Sequence, residues 1–490
     1  MTTRLSDRTL DQLPAEVTRP TYDRGLMLPG IVHLGIGAFH RAHQSVYTDA
    51  VLASGDMRWG IVGASLRSAQ TRDALAPQDG LYTVAIRGGG EKLQVIGSSD
   101  GLLVAAEDPE ALLAAMVRPQ MKIVSLTVTE KGYCHAPASG TLDEAHPDIR
   151  HDLVSPAMPR SAIGFVVEAI ARRRAAGLVP FTLLSCDNLP ANGRTLKRVV
   201  TRFAELRDPD LAHFIADEVA CPSTMVDRIV PATTDADRSA ISMKLGQVDA
   251  WPVMTEPFSQ WVIEDDFPAG RPQWEQAGAT FVTDVDAYEL MKLRLLNGSH
   301  STLAYLGYLA GHETVSDAMS APGFERLVKG VMEEATPTLP GLPGIDVDAY
   351  KADLIARFRN PALRHRTWQI AMDGSQKLPQ RLLNTIRDRI RAGAPFPRLA
   401  LGVAGWIRYA SGKDEKGGRI DVRDPLADVI ARRADGASSA ASLAESFFGL
   451  EQVFGTDLPV NPEFRAEVEA ALGRLFRDGA AATVAGLADA

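Results

Sequence analysis

The sequence predicts an α/β protein, with a doubly wound parallel sheet in an N-terminal domain and a mostly α-helical C-terminal domain. Short apolar runs alternate with segments of helical periodicity in the first part of the chain, which is typical of parallel sheets. Runs of β-branched residues become rare from about residue 286 onward. A chain of 490 residues with 45% hydrophobic content is long enough for two domains, which we place at residues 1–285 and 286–490.

The first predicted strand lies within residues 30–37 (GIVHLGIG), a short apolar run that ends in glycines. Apolar residues at helical spacing follow at 42–54, so this part of the chain has the pattern of strand, turn and helix. The same alternation recurs downstream, and strands that are separated by helices form parallel sheets. The further predicted elements are buried strands at 59–65, 122–128 and 181–186 and a helix at 161–175.

Helical periodicity dominates the second domain. Long helices are predicted at residues 287–309, 323–334 and 463–476. The segment 336–344 (TPTLPGLPG) is rich in proline and glycine, and we predict a surface loop there.

The composition favours a small-molecule ligand. The formal charge of -9 leaves no basic surplus for nucleic acid. The opening MTTRLSDRTLDQL has no apolar core of a signal peptide, and apolar runs such as residues 303–310 fall short of the roughly 20 residues that span a bilayer. Three scattered cysteines, Cys134, Cys186 and Cys221, are too few for a disulfide framework or a thiolate zinc cage. We expect a cytoplasmic protein without nucleic-acid or membrane partners.

A glycine turn follows the first predicted strand and opens a helix. Gly35 and Gly37 form the turn, and Ala38 and Phe39 begin the helix, where a dinucleotide pyrophosphate would meet free backbone N–H groups. We predict that these four residues bind a cofactor. The motif is incomplete because His40 stands at the third glycine position, so the helix cannot approach the strand as closely as in the usual pattern. A plain tight turn is the alternative.

The choice between NAD and NADP depends on the end of the second strand, where an acidic residue usually holds the adenosine ribose. Residues 66–70 (LRSAQ) contain no acid, and the first one downstream is Asp73. We assign Arg67 to the cofactor site and predict NAD, with NADP as the alternative.

Residues 290–307 (LMKLRLLNGSHSTLAYLG) place polar side chains in an otherwise apolar helix. At about 100° per residue, with Lys292 at zero, Glu289 lies near about 60°, His300 near about 80° and Asn297 near about 140°. Such a face is turned inward only where its polar groups meet partners or a substrate. A solvated stripe with a satisfied histidine is the alternative.

These residue types suit the oxidation of a secondary alcohol. A lysine whose pKa is lowered by burial can remove the hydroxyl proton while hydride leaves carbon. Asparagine N–H groups can stabilise the developing alkoxide, and a histidine can hold the hydroxyl in place. A zinc ion could polarise the same oxygen, but the sequence shows no compact set of cysteine and histidine ligands.

A second asparagine, Asn188, follows the strand predicted at residues 181–186. Ligands of open α/β sheets bind at the carboxyl ends of strands, so Asn188 is a further candidate for the site. A role in a turn or a helix cap is equally consistent with its position.

Nearly the whole chain resembles the mannitol dehydrogenase family of polyol-specific long-chain dehydrogenases, which includes fructuronate reductases. The arrangement of Lys292, Asn297 and His300 is highly specific in this setting. The segments that carry the resemblance are GIGAFHRAHQ (35–44), IVSLTVTEKGYC (123–134), SCDN (185–188), TMVDRIVP (224–231), EPFSQWVIED (256–265) and MKLRLLNGSHS (291–301).

The resemblance implies a Rossmann-like N-terminal domain, a helical C-terminal domain and an active site in the cleft between them. Family members work without zinc, and many are monomers, so we expect a monomer, with a dimer as the alternative. In the TMVDRIVP segment we assign Asp227 to the cofactor site. The resemblance implies Lys292 as general base, Asn188 and Asn297 as the oxyanion hole, His300 as substrate positioner and Glu289 as proton relay to solvent.

The segment 364–381 (RHRTWQIAMDGSQKLPQR) resembles the fructuronate reductases in particular. Arginine is well matched to a carboxylate, so we predict a preference for D-mannonate and D-fructuronate over mannitol and fructose. The alternatives are cations on a solvated helix and a different substrate, such as mannitol or arabinitol. The candidate substrate-binding residues in this segment are Arg364, Arg366, Lys377 and Arg381.

Two other classes of protein fit parts of the sequence. A non-catalytic dinucleotide sensor would need the glycine turn but not the lysine, asparagines and histidine together. A metal-dependent hydrolase could use His40 and His43 as ligands, but the pair lacks a nearby carboxylate motif and a defined third ligand.

Overall fold

The computed structural model describes residues 3–136, 140–341 and 345–488. The chain divides into two compact units, Met1–Asp286 and Ala287–Ala490, which we call unit 1 and unit 2. Residues 342–344 of the predicted loop lie outside the described residues. Within the described ranges, no helix is both long enough and apolar enough to cross a membrane.

Unit 1 contains a five-stranded parallel sheet in the order β5-β2-β1-β6-β9. Chain order reverses beside β1, which is the switch point of a doubly wound sheet, so the predicted fold class is confirmed. The strands are β1 (Pro29–Leu34), β2 (Gly60–Ser65), β3 (Tyr82–Arg87), β4 (Glu91–Ile96), β5 (Ser99–Val104), β6 (Ile123–Leu126), β7 (His135–Ala136), β8 (Thr141–Leu142), β9 (Thr182–Ser185), β10 (Thr224–Asp227), β11 (Val253–Thr255), β12 (Gln260–Glu264) and β13 (Thr280–Val282).

Helices connect the strands of this sheet, and their apolar faces pack on it. The predicted helix at 42–54 is α2 in the structure, and a separate short helix, α1, precedes it, because His43 leaves the helical region with φ −126° and ψ −94°. The helices of unit 1 are α1 (Ala38–Ala42), α2 (Gln44–Ala53), α3 (Gln70–Leu75), α4 (Pro109–Val117), α5 (Thr129–Gly132), α6 (Pro147–Val154), α7 (Ala162–Ala175), α8 (Asn192–Arg207), α9 (Pro209–Glu218) and α10 (Asp235–Leu245).

Three smaller sheets accompany the main one, and the sequence did not predict them. They have the strand orders β10-β12-β13, β11-β3-β4 and β7-β8. In the second of these, Val253 on β11 pairs with Val84 on β3. Pairing between strands so far apart in the chain leaves no signal in local periodicity.

The helices and loops of unit 2 include no strand among its described residues, apart from isolated bridges, which confirms the predicted, mostly helical character of the second domain. Helix α12 lies at its centre and packs against α14, α16, α19 and α23. The predicted helix at 287–309 consists of three consecutive elements in the structure. These are the helix α11, then a π-helical segment that we call π1, and then the helix α12. A second π-helical segment, π2, follows α17. The elements are α11 (Asp286–Met291), π1 (Lys292–Asn297), α12 (Gly298–Leu309), α13 (Val315–Ser320), α14 (Phe324–Ala335), α15 (Val347–Phe358), α16 (Thr367–Ala371), α17 (Gly374–Leu378), π2 (Pro379–Leu383), α18 (Asn384–Arg391), α19 (Pro397–Ala410), α20 (Ala427–Ala434), α21 (Ala440–Phe448), α22 (Glu451–Phe454) and α23 (Pro462–Ala485).

Candidate active site

The glycine turn of unit 1 connects β1 to α1. Gly35 has φ +97°, and a Cβ atom there would lie 2.2 Å from the carbonyl oxygen of Thr127, so only glycine fits. Gly37 is different: it is exposed, and a Cβ atom there would meet nothing closer than the Gly35 oxygen at 3.9 Å. Packing within the fold would therefore leave room for a side chain at position 37. The open position of Gly37 next to the first N–H groups of α1, at Ala38 and Phe39, suits the close approach of a phosphate.

His40, at the third glycine position, fills the space between α1 and β1. Its ring stacks on that of His33, with centroids 3.5 Å apart and planes at 11°. Nδ1 of His33 lies 2.8 Å from Ser125 Oγ, and Nε2 lies 2.8 Å from Thr127 Oγ1. Burial lowers the pKa of His33 to about 3 and holds that of His40 well below its usual value, so both rings are neutral at pH 7.

The metal-dependent hydrolase gains no support from His40 and His43. The His40 ring is held by the stack on His33, and His43 stacks on Phe39 with centroids 4.9 Å apart. Nε2 of His43 also lies 3.1 Å from the carbonyl oxygen of Gln260. Among the residues that the structure describes, no three histidine, cysteine or acidic side chains are grouped as metal ligands would be.

The two other predicted cofactor residues lie at strand ends of unit 1. Arg67 follows β2, and its side chain is 84% exposed and lies 3.3 Å from Asp148. Asp227 is the last residue of β10, and its side chain is buried. The exposed guanidinium of Arg67, just beyond a strand end, is accessible to a ligand, whereas the carboxylate side chain of Asp227 is buried.

Asn188 lies where the sequence predicts it, just beyond the carboxyl end of β9, and it is exposed. The preceding residue, Asp187, connects this strand end to the loop after β6. Its carboxylate accepts hydrogen bonds from the N–H groups of Val128 (2.9 Å) and Thr129 (3.1 Å) and from the Tyr133 hydroxyl (2.9 Å). Burial raises the pKa of Asp187 to about 6. The sequence analysis missed this residue, although a carboxylate directly after a buried strand was a signal for it.

In unit 2, the segment π1 changes how the predicted catalytic residues face one another. A π-helix has i→i+5 hydrogen bonds, and the N–H of Gly298 donates to the carbonyl oxygen of Leu293. Residues five apart then lie one turn apart, which brings Lys292 and Asn297 to the same side of the helix. In the ideal α-helix assumed from the sequence, about 140° would separate them.

The other predicted residues lie on either side of π1. Glu289 is half-buried on α11, three residues before Lys292. His300 lies on α12, three residues after Asn297. Glu289 is therefore one turn before Lys292, and His300 is one turn after Asn297. Lys292 is 6% exposed and His300 is 7% exposed. Both side chains are therefore buried, which contradicts the alternative of a fully solvated stripe.

Close packing against π2 accompanies the irregular helix. A Cβ atom at Gly298 would lie 2.9 Å from the carbonyl oxygen of Arg381, so glycine lets the two backbones approach. Pro379, at the start of π2, has no N–H to donate to the helical ladder. The guanidinium of Arg381 donates to the Ser301 hydroxyl at 3.0 Å, so this predicted cation lies next to α12.

Residues 373–375 (DGS) determine the position of Lys377. Asp373 has φ +55°, and a Cβ atom at Gly374 would lie 2.2 Å from Nε1 of Trp406. The hydroxyl and N–H of Ser375 both donate to the Asp424 carboxylate, at 2.5 and 2.8 Å. Helix α17 starts from this anchored turn, and Nζ of Lys377 donates to the carbonyl oxygen of Met372 at 2.6 Å.

His300 lies among aromatic rings and cations of unit 2. Its ring stacks on Phe358, with centroids 5.2 Å apart, and meets the edge of His365 at 4.9 Å. Its pKa is held well below the usual value, first by burial and then by His365 and by three cations. His300 is therefore a neutral imidazole at pH 7. The three cations are Arg381, Arg357 and Lys377.

Of the four predicted substrate-binding cations, Lys377 and Arg381 lie close enough to His300 to lower its pKa. Arg366 forms an ion pair with Glu313, and Arg364 is exposed with φ +47°. Sequence reasoning missed Arg357 and His365. Arg357 is 8% exposed on α15, and a charged residue within an apolar helical pattern was the signal for it.

Comparison with known proteins identifies the relatives of this fold and these motifs. The profile of the mannitol dehydrogenase Rossmann domain matches residues 29–276, and that of the mannitol dehydrogenase C-terminal domain matches residues 284–476. The chain belongs to the mannitol dehydrogenase family. The resemblance drawn from the sequence motifs is thereby confirmed.

Individual members of the mannitol dehydrogenase family match along almost the entire chain. D-mannonate oxidoreductase of Escherichia coli is 49% identical over 477 residues, which cover 96% of this chain and 98% of that protein. Mannitol 2-dehydrogenase of Phaeosphaeria nodorum is 42% identical over 492 residues, covering 99% and 85%. The solved ternary complex of Pseudomonas fluorescens mannitol 2-dehydrogenase with NAD and D-mannitol has a TM-score of 0.91 at 41% identity, and the match covers 98% of each chain.

Proposed function

We propose that this chain is an NAD-dependent oxidoreductase that interconverts D-mannonate and D-fructuronate. The observation that carries the proposal is the set of three cations around His300. Lys377, Arg381 and Arg357 are each close enough to lower its pKa. Such a cluster suits a substrate that ends in a carboxylate. The 49% identity to D-mannonate oxidoreductase supports the same substrate.

The second candidate substrate pair is D-mannitol and D-fructose. It is favoured by the 42% identity to a mannitol 2-dehydrogenase and by the likeness to the solved complex with D-mannitol. Mannitol and mannonate present the same hydroxyl pattern around the reacting carbon and differ at the far end, which is CH₂OH in one and a carboxylate in the other. The cations near His300 are therefore the groups that would discriminate between them.

The glycine turn supports NAD as the cofactor. Gly35 makes the turn possible, and Gly37 leaves room for a pyrophosphate beside the N–H groups of Ala38 and Phe39. When bound, NAD accepts the hydride that leaves the alcohol carbon. We assign Arg67 and Asp227 to the same cofactor site.

The chain's own residues handle the proton and the developing charge. Lys292 takes the hydroxyl proton as general base, and Glu289, on the preceding turn, passes it to solvent. The amides of Asn188 and Asn297 donate to the oxygen as it becomes an alkoxide or a carbonyl. His300 holds the same hydroxyl through its neutral imidazole.

The substrate assignment predicts that catalytic efficiency is higher for D-mannonate and D-fructuronate than for D-mannitol and D-fructose. Replacing Lys377 with methionine keeps the aliphatic stem and removes the charge, so we expect the preference for the acids to fall by about tenfold or more. The measurement is kcat/KM on all four compounds, followed by the absorbance of reduced NAD.

Lys413→Met is the matched control, because Lys413 is an exposed lysine of unit 2 in the turn after α19. It should leave the preference for the acids unchanged. A wild-type preference for the uncharged pair, or an unchanged preference in Lys377→Met, would contradict the substrate assignment. Absence of NAD-dependent turnover with every polyol and sugar acid would contradict the oxidoreductase itself and favour a dinucleotide sensor.

Because Lys292 serves as the base, we propose that catalysis needs no metal. Prolonged treatment with a chelator, followed by its removal, should therefore leave kcat within about twofold of the untreated enzyme, a change well under about 1 kcal/mol in barrier. The same treatment of a zinc-dependent alcohol dehydrogenase is the positive control. Activity that is lost on chelation and restored by zinc alone would refute the assignment of Lys292.

A further inference from the structure

We propose that His365 binds a second hydroxyl of the substrate, next to the hydroxyl held by His300. The inference rests on the proposed function and adds a residue to its substrate site. His365 belongs to none of the motifs that identified the catalytic groups.

The two imidazoles form a pair with unused hydrogen-bonding capacity. The ring centroids of His300 and His365 are 4.9 Å apart, with planes at 66°. Nε2 of His300 and Nδ1 of His365 are buried, and neither has a hydrogen-bond partner among the residues that the structure describes. Buried polar atoms are rarely left without partners, because the lost hydration is not replaced. Two adjacent hydroxyls of a linear sugar chain would supply the missing partners.

The backbone around His365 turns its ring toward His300. The N–H of Val315 donates to the carbonyl oxygen of His365 at 2.9 Å, and the N–H of Thr367 donates to that of Glu313 at 3.0 Å. These bonds hold the segment extended, so successive side chains point to opposite sides. Arg366 accordingly pairs with Glu313, while the ring of His365 meets His300.

The backbone is strained at Arg364, directly before His365. Arg364 has φ +47°, in the left-handed region that non-glycine residues rarely adopt. Such strain persists where the surrounding structure enforces it, and it is concentrated at ligand sites. Here it allows the chain to enter the extended segment with His365 facing inward.

The charge state of His365 suits a hydroxyl. Burial, and secondarily the nearby Lys377, lower its pKa to about 4, so the ring is neutral at pH 7. A neutral imidazole has one donor and one acceptor nitrogen, which matches a hydroxyl. With Lys377 close to both histidines, the inferred order along the substrate is the reacting hydroxyl at His300, the next hydroxyl at His365 and the carboxylate at Lys377.

The test replaces the hydrogen-bonding atoms and keeps the ring. His365→Phe retains an aromatic edge against His300, so we expect kcat/KM for D-mannonate to fall by about tenfold to a hundredfold, mainly through KM. His365→Gln, which keeps a donor and an acceptor, should recover part of the loss. His312→Phe is the matched control, because His312 meets Phe324 edge to face at 5.4 Å elsewhere in unit 2.

A substrate analogue makes the test independent of folding. The analogue is a deoxy form of D-mannonate that lacks one hydroxyl, namely the one next to the reacting hydroxyl on the side of the carboxylate. Wild-type enzyme should bind it about as weakly as His365→Phe binds D-mannonate, and the variant should not discriminate between the two compounds. Equal KM values of the wild type for D-mannonate and the analogue, or a His365→Phe variant with wild-type KM, would overturn the role of His365. In either case, wild-type turnover of D-mannonate would still support the proposed function.

Discussion

Replacing Lys292 with alanine is expected to lower kcat on the order of a thousandfold or more while leaving the fold and the affinity for NAD unchanged. Lys292 is buried in π1 and is the group assigned to remove the hydroxyl proton, so its loss removes general-base catalysis. The measurement combines steady-state kinetics with D-mannonate and titration of NAD by protein fluorescence.

Lys329→Ala is the control for this variant. Lys329 lies on α14 of the same unit, is 56% exposed and pairs with Glu325, so its removal should have little effect on kcat. Added primary amines of small size should restore part of the activity of Lys292→Ala, because they can occupy the space of the lost side chain and accept the proton. A Lys292→Ala enzyme with near-normal kcat would show that another group is the base.

Replacing Asn188 or Asn297 singly with alanine is expected to lower kcat by about a hundredfold, the effect of losing one oxyanion donor. Asn297 shares one side of the helix with Lys292 because of π1, and Asn188 is exposed at the carboxyl end of β9. Because the donors act on charge that develops in the transition state, kcat should fall more than KM rises. Single-turnover formation of reduced NAD measures the chemical step directly.

Asn384→Ala serves as the control, since Asn384 is an exposed asparagine on α18 of unit 2, where its side-chain oxygen accepts a hydrogen bond from Arg387 at 3.0 Å. It should not change kcat. If neither Asn188→Ala nor Asn297→Ala slows the chemical step, the alkoxide is stabilised by other groups. If only one does, the oxyanion hole has a single asparagine donor.

Local sequence patterns predicted those helices and strands that have a strong hydrophobic periodicity or consist of a buried apolar run. Strands β1, β2, β6 and β9 were predicted because strands that are buried on both faces are continuously apolar. The edge strand β5 and the smaller sheets were missed. The pairing of β11 with β3 joins residues far apart in sequence and leaves no local signal, whereas β3 and β4 are neighbours in the chain and their hairpin was not recognised. The break at His43 was missed for a similar reason: its ring packs against Trp261, whose position depends on the tertiary fold.

The candidate site was predictable to the extent that its chemistry lies along one helix. The spacing of Lys292, Asn297 and His300 indicated a polar face, but ideal helical geometry could not show that π1 aligns the first two. Among the four predicted cations, sequence proximity did not distinguish Lys377 and Arg381 from the two arginines beside His365. In an extended segment, neighbouring residues face opposite directions, so adjacency in sequence is a poor guide to which side chain reaches a site.

By itself, the sequence determined the fold class, the family and the residue types that can oxidise an alcohol, because these depend on periodicity and on motifs within short stretches of chain. Only the tertiary structure decided which side chains surround His300. Phe358, His365, Arg357 and Lys377 come from three different segments of unit 2, and packing between helices brings them together. The charge and hydrogen-bonding capacity around His300, on which substrate choice depends, are therefore properties of the packed unit rather than of any one segment.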